Sequence, residues 1–337
     1  MATLRFVLSA LAAARFAAGA STGVRTVHAS VPGDGHGLPH AYEFAVQFPV
    51  VDAQRQLPLV LMLSGFCLPA EQQDSIQLRY SDLVQSHSFI YAPLRSARVA
   101  RTCSLCPTTV RAADAMQNMP LYSATARLLE VTSAAGQCTA WDATSACCVP
   151  ERAGRDGGDV PLIQAVIAKV QSIAPVDSTR IYVVGIANGG FMALRLACEL
   201  GDQLAGVVAY ASSLYSQQCA RTHGLPPLLH VWGDVDVVVP FNGGYNSAGV
   251  PFPGFGESNQ IWAGMAGCNS GTQNSSFVAK GSSNEAALTV EVSKYTGCAL
   301  ESWRISNGQH FALPATSAVI FQKALTDFLL PSSAKIA

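Results

Sequence analysis

Three places in this 337-residue chain hold residue types that act together when a fold joins them. The first is Gly185-Ile186-Ala187-Asn188-Gly189-Gly190, set between a β-branched run and an apolar helical run. Glycines two positions either side of a centre remove the side chains that would clash in a sharp strand-to-helix turn. Such a turn presents its central residue in a strained conformation suited to a nucleophile. Here the centre is Ala187, whose methyl can neither attack a carbonyl nor form an acyl intermediate. The second place is Asp236, in the turn after the apolar run 227–232, where a carboxylate can hold an imidazole in one tautomer and stabilise its cation. Asp234 competes for that role, and aspartate is also a common turn former. The third is His310, in the loop Asn307-Gly308-Gln309-His310, a general base by type. Chain order is nucleophile position, acid, histidine.

Each of these loops needs a strand to deliver it. Runs 24–31 and 41–49, either side of a turn-rich stretch, predict an antiparallel hairpin. Leu57 to Leu63 is almost wholly apolar, as in a strand buried on both faces of a parallel sheet. A short strand at 89–92 follows. Helical spacing over 161–173 leads into a strand at 180–184, a helix at 189–200 and strands at 204–210 and 227–232. Strands at 288–292 and 300–305 and a helix at 317–330 close the chain. This alternation predicts an α/β class, doubly wound, mostly parallel sheet in one domain. Between 95 and 137 there is no sheet pattern, only a weakly helical stretch over 112–131. A cap over the site and a surface insertion stapled by cysteines are both open.

With 49% hydrophobic and 13% charged residues the chain can bury one large core and needs no second domain. A formal charge of −1 without a basic stripe argues against a nucleic-acid partner. Residues 1–20 combine Arg5, an apolar stretch and Ala18-Gly19-Ala20, the pattern of a cleaved signal peptide, so 21–337 is expected as the mature, secreted domain. Arg15 interrupts the apolar stretch, and no run of about 18 apolar residues predicts stable membrane insertion. Ten cysteines behind a signal peptide point to disulfides. Cys103 and Cys106 form a lone C-x-x-C without the second pair or histidines that zinc requires. Cys147 and Cys148 are adjacent, so each is expected to pair elsewhere. No metal or cofactor site is read.

The segment from Gly185 to Cys198 resembles the G-x-S-N-G-G elbow of the extracellular polyhydroxybutyrate depolymerase and feruloyl esterase family, with alanine where that family has serine. Further stretches resemble the family in the same order: Trp141 to Cys148, Asp159-Val160, Pro175 to Tyr182, His230 to Gly244, Trp262 to Cys268 and Gly308-Gln309-His310. Pro314 stands four residues after the histidine, where the family more often has three. The resemblance spans roughly 57–330 and is weakest over 95–137. It implies an α/β-hydrolase fold and a serine esterase triad with Asp236 as acid and His310 as base. It also implies an oxyanion hole made by the backbone N–H groups of Asn188 and of the Ser64-Gly65-Phe66 turn, with Phe66 as the second donor. Ser64 stands where the family usually has histidine. Cys268 and Cys298 flank a Ser/Asn/Gly-rich stretch just before the His310 strand and are the pair expected to bridge, contributing about 3 kcal/mol in the loop-entropy model. Asn274-Ser275-Ser276 in that stretch is an N-glycosylation sequon.

The implied ligand is an ester, either a small molecule such as a feruloyl sugar or a polymer such as polyhydroxybutyrate. The alanine leaves three accounts. A natural pseudoenzyme binds esters without cleaving them, an active esterase has been disarmed by substitution, or another residue attacks: Cys67, Ser212 or Ser213. A secreted binding or structural protein using the fold as a scaffold is the alternative from another class. Oligomeric state is not legible in the sequence.

Overall fold

The structure is a computed structural model that describes residues 24–33, 41–51, 55–96, 139–144, 147, 158–214, 219, 224–245, 250–282, 284–310 and 314–331. The expected signal segment 1–20, all but the first two residues of 95–137, and Cys103, Cys106, Cys138 and Cys148 lie outside them.

Two antiparallel strands, β1 (Val24–Val31) and β2 (Tyr42–Pro49), open the chain and pair along their whole length. Next come β3 (Leu57–Leu63), two short helices α1 (Ala70–Gln73) and α2 (Val84–His87), and β4 (Ile90–Leu94). The second part alternates α3 (Val160–Ile173), β5 (Val176–Ile186), α4 (Asn188–Glu199), β6 (Gly206–Tyr210) and β7 (Leu228–Gly233). A small hairpin, β8 (Gly243–Tyr245) with β9 (Pro251–Pro253), precedes α5 (Phe255–Ala266). The chain then adds β10 (Thr272–Ala279), β11 (Leu288–Tyr295), β12 (Leu300–Ile305) and α6 (Pro314–Lys323).

All strands but β8 and β9 form one sheet in the order β1-β2-β4-β3-β5-β6-β7-β12-β11-β10. From β4 across to β12 neighbours are parallel, and antiparallel strands flank both ends. The parallel strands are the most apolar: β3, β4, β6 and β7 are buried throughout, as helix-covered strands must be. After β3 the chain steps to one side to make β4, then returns to β3's other side to make β5. Such a reversal in strand order is the place, beyond the carboxyl ends of the strands, where doubly wound sheets hold their sites.

Two differences from the sequence reading have physical causes. The Ser/Asn/Gly-rich stretch after Cys268 contains β10, in register with β11 from Thr272↔Tyr295 to Ala279↔Leu288. As an edge strand with side chains exposed from Thr272 to Ser276, it lacks the apolar alternation that marks a half-buried strand. Helix α5 was not anticipated either, because it packs through few residues, Phe255, Ser258, Asn259 and Trp262, two of them polar. Among the described residues no helix is long and apolar enough to cross a membrane.

Disulfides join Cys268 to Cys298, closing the β10–β11 hairpin at its base, and Cys198 to Cys219, tying the end of α4 to the segment after β6. Replacing Cys268 and Cys298 together by serine is expected to lower unfolding free energy by about 2–4 kcal/mol, measured by urea denaturation under non-reducing conditions.

Candidate active site

The turn from β5 into α4 is built from backbone contacts that leave no room for side chains. A Cβ on Gly185 would lie 2.1 Å from the Gly189 carbonyl oxygen, and one on Gly189 would lie 2.1 Å from that of Leu63. One on Gly190 would meet Ser212 Oγ at 2.6 Å. Ala187 sits at the apex with φ 51° and ψ −118°, a left-handed conformation that residues with a Cβ rarely adopt. Its N–H donates to the Tyr210 carbonyl (2.9 Å) and its carbonyl accepts from Phe191 (3.0 Å). A Cβ on Gly65 would be 3.6 Å from that of Ala187, so the turn after β3 faces the apex directly.

In the turn after β3 nearly every N–H is already used. Ser64 donates to Leu94 O (2.9 Å), Gly65 to Gln73 Oε1 (2.6 Å), Cys67 to Thr139 O (3.0 Å) and Leu68 to Gly65 O (3.3 Å). Among the described residues Phe66 alone in this turn has an N–H without an acceptor. The Asn188 N–H, in the first turn of α4, belongs to the set no intrahelical carbonyl can satisfy, and the helix dipole adds positive potential there. Two amide donors therefore border the apex, an arrangement suited to a developing oxyanion.

Asp236 and His310 follow neighbouring strands, β7 and β12, paired up to Gly233↔Ile305. His310 Nδ1 lies 2.8 Å from Asp236 Oδ2, both residues being buried. The remaining acceptor capacity of the carboxylate is filled: Oδ1 receives Val238 N–H (2.8 Å) and Val239 N–H (2.9 Å), and Oδ2 receives the Trp232 indole N–H (3.2 Å). Four hydrogen bonds hold the carboxylate in one orientation, as an imidazole-orienting group requires. Asp234, the rival candidate, points elsewhere. It pairs with Arg304 (2.9 Å) and accepts the Asn307 N–H (2.7 Å), bracing the histidine loop from outside. Gly233 and Gly308 let the acid and histidine loops touch, since a Cβ on Gly233 would lie 2.2 Å from Gly308 O. Tyr210 ties this half of the site to the other: its carbonyl receives Ala187 and its hydroxyl donates to Gln309 O (3.3 Å).

Three alternative nucleophiles are disposed of by position. Cys67 is held in a disulfide. Ser212 Oγ is buried beneath Gly190 with no hydrogen-bond partner among the described residues, behind the apex. Ser213 Oγ donates to Pro253 O (2.6 Å).

Several supporting residues gave no chemical signal in the sequence. Trp232 caps Asp236 and packs on Phe241 and Phe255, joining the acid turn to α5. His230 bridges the Asn259 carboxamide and Ser212 O, each at 2.8 Å, beneath the same aromatic group. Complete burial holds its pKa below the ordinary histidine value of 6.5. Gln73 could not have been singled out, because nothing distinguishes it from its neighbour Gln72 until the fold is known.

Comparisons with known proteins bear on the fold and on parts of the sequence. The Phospholipase/Carboxylesterase family matches residues 159–251, which include Ala187, Asn188 and Asp236. The Nocardia uniformis subsp. tsuyamanensis protein NocK, described as an esterase, is 41% identical over 86 residues, 25% of each chain. Feruloyl esterase B of Piromyces equi is 32% identical over 138 residues, 38% of this chain and 24% of that protein. This chain thus spans about a quarter of the length of these two curated relatives. LpqC, a poly(3-hydroxybutyrate) depolymerase from Bordetella parapertussis, superposes with a TM-score of 0.51 at 14% identity, covering 93% of this chain and 92% of that one.

Two tests follow from the geometry. Ala187→Gly removes the Cβ from a left-handed position and is expected to raise stability by about 1 kcal/mol, measured by denaturant titration; a loss would contradict the strain. For His230, folding favours the neutral ring, so stability is fully present above pH 6.5 and declines as pH falls below it, where only the unfolded chain takes the proton. His230→Gln is expected to flatten that decline in melting temperatures recorded from pH 7.5 to 5. The chain thus has the α/β-hydrolase fold, and over parts of its length it is similar to esterases of that fold.

Proposed function

We propose that this protein is a secreted, feruloyl esterase or polyhydroxybutyrate depolymerase-like member of the family that keeps an ester-binding site and lacks the nucleophile to cleave what it binds. What supports the reading is Ala187 at the strained apex beside the unused Phe66 N–H, with a hydrogen-bonded Asp236–His310 pair after nearby strands of the same sheet, tied to the apex through Tyr210. In this reading the ester carbonyl points at the Phe66 and Asn188 N–H groups. His310 stands ready as base, and Asp236 holds its tautomer. No hydroxyl completes the set. Binding and the oxyanion hole alone leave about 10³ to 10⁴-fold acceleration over water, far below an effective esterase.

Survival of the four-bonded Asp236 and the braced His310 supports loss of a single group over long use as an inert scaffold, because a buried carboxylate is costly to keep without a purpose. The ligand is taken to be an ester of a phenolic or hydroxyalkanoic acid, as the names of the similar proteins indicate. Secretion is taken from the leader-like residues 1–20 and accords with the disulfides.

Ala187→Ser is expected to raise hydrolysis of p-nitrophenyl butyrate by about a thousandfold or more over the parent chain. In that background Asp236→Asn should cost about 10⁴ in kcat. A correctly folded Ala187→Ser chain that stays inert would count against the reading. Calorimetry of the unsubstituted chain with methyl ferulate and with hydroxybutyrate oligomers separates a ligand-binding pseudoenzyme from a scaffold, which would give no heat with either.

A further inference from the structure

Resting on the oxyanion site proposed above, we propose that the Asn188 carboxamide and the Trp141 indole act together as a brace that sets the spacing and aim of the two oxyanion N–H groups, with both side chains acting as positioning groups.

Asn188 has two separable parts. Its backbone N–H borders the apex, while its side chain is buried and turned away from it. Its Oδ1 accepts the Trp141 N–H (2.6 Å), and Nδ2 donates to Trp141 O (3.1 Å) and to Cys147 Sγ (3.3 Å). A carboxamide that both gives to and takes from one residue's backbone imitates a strand pairing. A carboxylate or an aliphatic group cannot make both bonds, and a hydroxyl would have to make them from a single atom. None of these bonds serves as a helix cap, the usual use of a polar residue at the start of α4.

The residue that Asn188 grips holds the other donor's turn. Trp141 is fully buried, and its Nε1–H donates to the Ser64 carbonyl at 2.9 Å, two residues before Phe66. The path from one donor to the other is therefore Asn188 backbone, carboxamide, Trp141 backbone, indole, Ser64 carbonyl, Phe66 N–H. Gln73 holds the same turn through a second contact. Its Oε1 takes the Gly65 N–H (2.6 Å), and its Nε2 donates to Gln77 Oε1 (2.9 Å), which orients the amide. With the Cys67 N–H held by Thr139 O, the turn is fixed on both sides of Phe66, and the Phe66 N–H is left for the site.

Direct contact alone leaves the spacing loosely defined. Gly189 lies against the Leu63 and Ser64 carbonyls, which stops the two turns from approaching further but does nothing to prevent them from parting. The β3–β5 ladder holds the strands together up to Leu63↔Gly185, and beyond its end the indole bond supplies the opposing pull on the turn. Donors aimed at a transition-state oxygen must be held to within about half an ångström, and loss of one donor costs about 10² to 10³ in kcat. Detuning both by a small displacement should cost less, about tenfold.

The test uses the Ala187→Ser chain, with active sites counted by titration with a fluorophosphonate so that unfolded molecules drop out. Trp141→Phe keeps the buried ring and the backbone pairing with Asn188 but removes the N–H to Ser64. Expected is about a tenfold fall in kcat per titrated site for p-nitrophenyl butyrate with KM within about twofold. A second variant, Asn188→Ala, keeps the backbone donor and should produce the same split. A merely structural role would reduce the number of titrated sites and the melting temperature while leaving kcat per site unchanged, and that result overturns the proposal. If Ala187→Ser is inactive, the proposed function fails on its own account. The brace is then judged in the unsubstituted chain from the Phe66 and Asn188 amide resonances in ¹⁵N spectra. Trp141→Phe must shift both, and two unmoved resonances overturn it.

Discussion

Where β5 becomes α4, backbone meets backbone with no space for a side chain, and the rest of the site depends on that contact. Gly185 lies on Gly189, Gly189 lies on the Leu63 and Ser64 carbonyls, and Gly190 lies on Ser212 and the Tyr210 carbonyl. This close approach forces the residue between them out of ordinary backbone space, which is how Ala187 comes to have φ 51°. It also presses the first turn of α4 against the end of β3, so that amide donors from two distant parts of the sequence border one point. A strained position persists only when its surroundings over-determine it. Here they do, from three neighbouring strands.

The two halves of the site are assembled differently. The half made of β3, β5 and α4 relies on glycine contacts and on the belt of hydrogen bonds through Asn188, Trp141, Ser64 and Gln73. The half made of β7 and β12 relies on a saturated carboxylate and an aromatic group, with Asp234 and Arg304 bracing the outside. Tyr210 spans them through its carbonyl and its hydroxyl. At Ala187 the bonds that join the turn to its surroundings are made by the backbone, to Tyr210 and Phe191, and the side chain carries none of them. A buried imidazole–carboxylate pair and an open backbone amide therefore coexist with a centre that has no chemistry of its own.

Much of this was legible in the linear chain, and the reasons differ by element. Apolar runs such as Leu57–Leu63 and Leu228–Gly233 read as buried parallel strands because burial on both faces leaves no polar alternation. The elbow was readable because its glycines answer a local steric demand. The Cys268–Cys298 pair was expected from its flanking position and is present, whereas Cys198–Cys219 had no such signal, since α4's end and the segment after β6 meet only across the fold. β10 escaped because an exposed edge strand pairs through its backbone, and the backbone carries no side-chain signature.

What the sequence determined by itself is the kind of parts: a strained turn without a nucleophile, an acid, a histidine, and the parallel strands that deliver them in order. These follow from local sterics and burial, which act between residues close along the chain. The tertiary structure alone decided which aspartate faces His310, which N–H in the turn after β3 remains open, and that Asn188 and Trp141 link the two donor turns. Asp234 and Asp236 are chemically identical and two residues apart. Only the packing of β7 against β12, with Trp232 over one carboxylate and Arg304 over the other, gives them different partners.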